Sequence, residues 1–192
     1  MIPRTINKQD PLVFLSAMQK CIRRGMEREA FEFAVELVRT SKAFTSMVGN
    51  RLEIISHEDI DTASQPHIVP FVYTASQQAR ALWDPKKLGK STLPIGNAIR
   101  MMCRAVKSRE GDHFAGAVGG ASVFGGFVPE VPDWAYDHHT KIGRKKGRDI
   151  SHFRKVSAKL VPAQPKPDLY EDEFYKWQKI RFNENDDSDV DE

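Results

Sequence analysis

The residues best suited to chemistry lie within residues 132–160, where three of the chain's six histidines stand close to several acids. They are Asp137, His138, His139, Asp149 and His152. Imidazole nitrogens and carboxylate oxygens bind catalytic metal ions, and phosphoesterases with an Asp-His-His triplet hold a metal pair with it. Those enzymes also need further Asp motifs and a parallel sheet, and the sequence shows neither. We therefore predict no metal site and no catalytic residue. The alternative is a metal-dependent nuclease or phosphoesterase that uses His138 and His139.

Two other segments match parts of catalytic motifs but fail on spacing. Gly89-Lys-Ser-Thr92 matches the end of a phosphate-binding loop, but Asp84 stands where that loop needs a glycine to curl its backbone around phosphate. His57-Glu-Asp-Ile-Asp61 begins like a zinc-protease motif, but Asp61 replaces the second histidine, which must lie one helical turn after the first. The chain is therefore predicted not to be an enzyme and to need no cofactor.

Residues 132–160 also carry a dense run of Lys and Arg. On a helix, Lys141, Lys145 and Arg148 would share one face, and the glycines at 143 and 147 would allow close approach of a phosphate backbone or a second helix. Several Lys and Arg bind phosphates with affinity but without sequence specificity. We predict a nucleic-acid contact here; a solvated basic face, or a contact to acids of another subunit, stays open. The predicted contact residues are Lys141, Arg144, Lys145, Lys146, Arg148, Arg154 and Lys155.

The net charge of +3 conceals a strong asymmetry along the chain. Residues 168–192 hold ten Asp and Glu against three Lys and Arg, a net charge of −7, so the remaining residues carry +10. Such polarity indicates a basic binding surface with an acidic tail that competes for it. Tyr170, Phe174 and Trp177 recur at helical spacing in this tail. In a third hypothesis this stretch docks on a replication protein, and the chain is a pure protein adaptor.

The elements that must position these residues are predicted to be helices. Asp10-Pro11 is a helix start, since Asp caps free N–H groups and Pro is tolerated at the first helical position. Apolar residues then recur at three- and four-residue spacing in five segments, and no segment before residue 110 alternates with period two. The predicted fold class is therefore an all-α helical bundle. No apolar run reaches the roughly 20 residues of a membrane span, so we expect a cytoplasmic protein with no membrane partner.

The Gly-rich stretch sets the predicted organisation of the second half. Residues 111–126 contain six glycines, and glycine at this density costs backbone entropy in helix and strand alike, which favours a mobile loop. We predict a helical domain over 1–161, which includes a Gly-rich loop over 111–128 and a basic closing segment over 132–160. This domain is followed by a Pro-rich linker over 162–167, a short amphipathic helix over 168–182 and a disordered acidic tail over 183–192.

Three stretches of the chain share their patterns with one known family. Asp10–Gly25 (DPLVFLSAMQKCIRRG), followed by Ala30–Ala34 (AFEFA), looks like that family's helical hairpin. Arg51–Asp61 (RLEIISHEDID), with Ala63 and Pro66 after it, is similar to its segment RrLvriasEDiGlAdP, with Asp61 in place of the usual Gly. Pro132–Phe153 resembles its closing segment, with a much richer basic character. The family is the MgsA/RarA replication-associated AAA+ ATPases, which includes the Werner-interacting ATPase, and the resemblance is to its C-terminal region.

The resemblance covers residues 10–155 and implies an all-helical domain akin to clamp-loader collars, which assembles these ATPases into tetramers at stalled replication forks. The family's ATPase residues have no counterpart in this sequence, so none is carried over. We therefore expect a non-enzymatic self-association module in DNA replication or recombination. It would form a homo-oligomer, and it would meet DNA or a replication protein at the nucleoid or the replication site.

Overall fold

The computed structural model describes residues 3–185, with side chains as far as Arg181. Every regular element in these residues is a helix, and the β pairing there is limited to one isolated bridge between Ile60 and Lys107. The predicted all-α fold class is therefore confirmed. The chain divides into two compact units, Met1–Phe127 and Val128–Glu192. This differs from the single domain predicted over 1–161, because residues 121–134 are all exposed and form no part of a core.

The first unit contains six α-helices, and the first five follow the predicted apolar spacing. Asp10 caps the first of them, because its carboxylate accepts the Leu12 N–H at 3.0 Å. Gly25 lies in the turn to the second helix at φ +71°, a left-handed conformation that a side chain would strain. The helices are α1 (Pro11–Arg23), α2 (Glu27–Thr40), α3 (Lys42–Glu58), α4 (Ile68–Ala81), α5 (Gly89–Arg104) and α6 (Glu110–Val123).

Helices α1 to α5 each bury one apolar face in a single core. Removing one large aliphatic side chain from water stabilises a fold by about 1.5–3 kcal/mol. The core is therefore the main source of stability in this unit. Each helix contributes at least one side chain with no exposed surface: Met18, Leu37, Leu52, Val72 and Ile99.

The Gly-rich segment is a helix rather than the predicted loop, since α6 spans Glu110–Val123. An ion pair between Arg109 and Asp112 stabilises its first turn, and the acids there interact favourably with the helix dipole. These contacts offset part of the entropy cost of glycine, which was the sole ground for the loop prediction. Gly126, at φ +64°, follows the end of the helix.

The second unit is built from short turns and one longer helix. A 3-10 turn at Asp133–Ala135 precedes α7 (Lys141–Lys145), and α8 (Ile150–His152) continues into a π-helical turn at Phe153–Ser157. Residues 161–170 have no regular structure, and α9 then spans Glu171–Asn185.

Helix α9 overlaps the amphipathic helix predicted over 168–182 but starts and ends three residues later. Residues 183–185 therefore belong to a helix rather than to the predicted disordered tail, and residues 186–192 of that prediction lie outside the described residues. None of the helices within residues 3–185 combines the length and the apolar character needed to cross a membrane.

Candidate functional site

The single basic face predicted for residues 141–148 is not formed, because α7 ends at Lys145. Thr140 starts the helix by accepting the Gly143 N–H at 3.0 Å, and Gly147 follows its end at φ +70°. A left-handed residue redirects the chain at a helix terminus, so the chain leaves the helix axis before Arg148. Lys141 and Lys145 are four residues apart and still share one exposed helical face.

Arg148 and Lys146 stabilise the second unit through Asp133. The Arg148 side chain is 14% exposed and forms an ion pair with Asp133, and its Nη1 donates to the Tyr136 carbonyl at 2.7 Å. Lys146 Nζ donates to the same carboxylate at 2.8 Å. Hydrogen bonds from Lys146 and Arg148 lower the pKa of Asp133. Both cations are therefore engaged within their own unit.

Arg154 pairs with the acidic first turn of α9. Its Nε lies 3.0 Å from a Glu171 oxygen, and its Nη2 lies 2.6 Å from an Asp172 oxygen. The guanidinium also lies 4.9 Å from the ring centre of Tyr175, which is buried. Hydrogen bonds to Asp172 and Glu171 raise the pKa of Arg154. An acidic segment predicted to compete for the basic surface thus contacts one residue of that surface.

Arg144 has a third kind of partner, the backbone of the loop before α7. Its Nη1 donates to the carbonyls of His138 at 3.1 Å and His139 at 3.2 Å. The remaining predicted contact residues are exposed, and within residues 3–181 none of them forms an ion pair. They are Lys141, Lys145 and Lys155.

The histidine cluster lies in this same loop. One metal-ligand atom from each of Asp137, His138 and His139 lies within 4.8 Å of the other two. His138 is buried, and its ring centre is 3.8 Å from that of the exposed His139. Burial, followed by the neighbouring His139, lowers the pKa of His138. Asp149, named with these residues in the sequence, instead caps α8 by accepting the His152 N–H at 2.8 Å.

The segment that begins like a zinc-protease motif ends α3 and contains a buried ion pair. The Asp59 side chain is 1% exposed, and it accepts from Arg23 Nε at 2.7 Å and from Gln19 Nε2 at 3.1 Å. A buried carboxylate needs such partners, because an unpaired one costs several kcal/mol. Sequence reasoning missed this role, and the local signal for it was spacing, since Asp59 follows Ile55 by four residues on the apolar face of α3.

Helices α2 and α5 border an open groove of about 660 Å³. Its lining includes Phe31, Leu93 and Gly96, and a Cβ at Gly96 would lie 3.2 Å from the Phe31 ring. The segment Gly89–Thr92 begins α5 next to this groove and follows a turn rather than a strand. It therefore lacks the strand that a phosphate-binding loop follows.

A scan of protein-family models and a search of curated proteins each found no match to this chain.

Proposed function

We propose that this chain is a non-enzymatic helical module that associates with itself and binds DNA phosphates in replication or recombination. The proposed binding of DNA phosphates rests on a single observation. Three lysines, Lys141, Lys145 and Lys155, are exposed, and none of them forms an ion pair within residues 3–181. The place in replication or recombination rests on the resemblance of residues 10–155 to the MgsA/RarA C-terminal region.

The contacts of the other cations narrow the proposed DNA surface. Arg148 and Lys146 already neutralise Asp133, and Arg154 already neutralises acids of α9. A phosphate would have to displace those partners, whereas it can bind the three lysines without breaking an ion pair among the described residues. Lysine recognises phosphate as a point charge on a flexible stem, which fits a contact that reads the DNA backbone rather than its sequence.

Self-association is supported by α6. No residue of this 14-residue helix is buried, and its apolar side chains Phe114 and Val118 are exposed one helical turn apart. The neighbouring Phe124 is 90% exposed. An exposed apolar helix face of this kind marks an interaction surface. Because the resemblance implies an assembling domain, the partner in this proposal is a second copy of the chain.

The DNA contact is tested by a salt titration of duplex binding, followed by fluorescence anisotropy. The variant replaces Lys141, Lys145 and Lys155 with Gln, and the matched control replaces Lys86, Lys87 and Lys90, three exposed lysines of the first unit. Each lost phosphate contact lowers the slope of log affinity against log salt by about 0.9. We expect a fall of about 2 to 3 in the variant and a smaller change in the control. Equal changes in the two would rule out this surface.

Self-association is tested by sedimentation equilibrium at high micromolar concentration. The variant replaces Phe114 and Val118 with Glu, and the control replaces Leu93, an exposed apolar residue of α5, with Glu. We expect an oligomer for the natural chain and for the control, and a monomer for the variant. A natural chain that sediments as a monomer at this concentration would contradict the proposal.

A further inference from the structure

We propose that Asp137, His138 and His139 hold one divalent transition-metal ion of the zinc class. This site goes beyond the proposed function and does not depend on it. The sequence alone predicts no metal here because the further motifs of metal-dependent phosphoesterases are missing. A single bound ion needs none of those motifs, since it needs only a set of ligand atoms that can reach one point.

The ligand atoms of the triplet lie close to one another. One oxygen of Asp137 and one ring nitrogen each of His138 and His139 lie within 4.8 Å of one another. Zinc binds nitrogen and oxygen ligands at about 2.0–2.2 Å, so two ligands of one ion lie about 3–4 Å apart. The atoms that lie farthest apart must therefore approach by about 1 Å to share one ion.

Hydrogen bonds already fix the backbone of the triplet. Arg144 donates to the carbonyls of His138 and His139, and the Thr140 hydroxyl donates to the Asp137 carbonyl at 2.9 Å. A Cβ at Gly143 would lie 1.8 Å from that same carbonyl oxygen, so only glycine allows α7 to approach the loop this closely. A preorganised loop is what a metal site requires, because the ion then does not have to order its ligands.

The hydrogen bonds of Asp137 also leave it able to bind a metal. Its Oδ1 accepts the His139 N–H at 2.9 Å, which orients the carboxylate towards the histidines. A carboxylate has two oxygens and about four acceptor positions, so this hydrogen bond and a metal contact are compatible. An outer hydrogen bond that orients a ligand is a regular feature of metal sites.

The surroundings of the cluster favour a partly desolvated ion. Phe153 packs edge-on against both rings, with its centre 5.2 Å from His138 and 5.4 Å from His139. His138 is buried and His139 is exposed, so one side of the site faces the protein and the other is open to solvent. Among the groups near His138, Asp137 and Asp149 favour a cation, whereas Arg144 and, when charged, His139 oppose one.

The ligand types select the class of metal. Two imidazoles and one carboxylate suit zinc and neighbouring transition metals, whereas calcium and magnesium require ligands that are all or nearly all oxygen. Three protein ligands leave a fourth position for water, as in open zinc sites.

The test uses the full, untagged chain after treatment with a chelator. Zn²⁺ is titrated in by calorimetry, and Co²⁺ is added separately so that its visible absorption reports the coordination number. His139→Ala and Asp137→Asn remove one ligand each, and Asn keeps the acceptor for the His139 N–H. His113→Ala, at an exposed histidine of α6, is the control.

We expect one Zn²⁺ per chain, with affinity reduced more than about 100-fold in His139→Ala and in Asp137→Asn, because loss of even an outer-sphere partner costs 10- to 100-fold. The control should bind like the natural chain. Absence of Zn²⁺ binding in the natural chain would overturn the proposal. Binding that survives unchanged in Asp137→Asn and His139→Ala would overturn it as well. His138 is left intact because it is buried, so the variants keep the packing of the loop.

Discussion

The first unit, Met1–Phe127, and the second, Val128–Glu192, use different kinds of residue for stability. Five helices of the first unit share an apolar core. In the described part of the second unit, the buried hydrophobic residues are Ile150 and Tyr175, and the ion pairs of Asp133 and Arg154 join separate turns. The difference teaches that basic residues in the second unit have structural roles. A count of Lys and Arg there overstates the surface available to DNA.

The largest expected difference between the units is the loss in the free energy of unfolding when an apolar side chain is removed. Leu52→Ala in the first unit should reduce the free energy of unfolding by about 2–5 kcal/mol, because Leu52 has no exposed surface and leaves a cavity. Ile142→Ala in α7 should cost less than about 0.5 kcal/mol, because Ile142 is 51% exposed. Urea denaturation of both variants provides the measurement. Similar losses in the two would contradict the comparison.

The buried carboxylate Asp59 of the first unit should have the next largest effect. Asp59→Ala removes the buried partner of Arg23 and Gln19. One hydrogen bond to a charged group contributes about 1.5–3 kcal/mol, and water reaches the Arg23 side chain, which is 29% exposed, so the two losses do not add in full. We expect a loss of about 2 kcal/mol in the free energy of unfolding. Glu130→Gln, at an exposed position outside any helix, is the control and should change it little. An Asp59 variant as stable as the control would show that the pair is incidental.

The contrast between the units also explains what the sequence could predict. The helices α1 to α5 were predictable because apolar residues at three- and four-residue spacing form a face that must be buried. The ion pair between Arg148 and Asp133, and that between Arg154 and Glu171, join residues separated by turns and by a linker. Periodicity carries no information on such pairs. The predicted basic face also required one continuous helix over residues 141–148, and the chain instead turns at Gly147.

Helix α6 and the histidine cluster show two further limits of prediction from the sequence. Glycine content alone predicts a loop over residues 111–128, whereas the Arg109–Asp112 ion pair stabilises the first turn of α6. The three consecutive residues Asp137, His138 and His139 were recognised, but the sequence could not show that the fold brings their ligand atoms together. A metal ligand set depends on loop geometry, which here depends on Gly143.

A smaller effect, on DNA affinity, is expected when Arg154 loses its acidic partners. Replacing Glu171 with Gln and Asp172 with Asn removes its two acidic partners, and the control replaces Asp168 with Asn and Glu173 with Gln, which removes equal charge. One additional phosphate contact should strengthen DNA binding by roughly 3- to 10-fold near 0.1 M salt and steepen the salt slope by about 0.9. Anisotropy titrations measure both quantities. The same gain in the control would mean that tail charge acts at long range rather than through Arg154.

The mildest expected effect is a pH dependence of the second unit. Hydrogen bonds from Lys146 and Arg148 lower the pKa of Asp133 below its ordinary value of 3.8. The ion pair therefore contributes fully above pH 3.8 and is lost as the pH falls through the lowered value. Fluorescence of Trp134, the next residue, should report the loosening in acid. Asp133→Asn should weaken that transition, and Glu130→Gln should leave it unchanged.

Native mass spectrometry with and without a short duplex tests the central claim most directly, because one spectrum reports oligomeric state and bound DNA together. We predict a homo-oligomer in the absence of DNA and the same oligomer with duplex bound in its presence. A mass of 21.8 kDa, that of one chain, in both conditions would contradict the account.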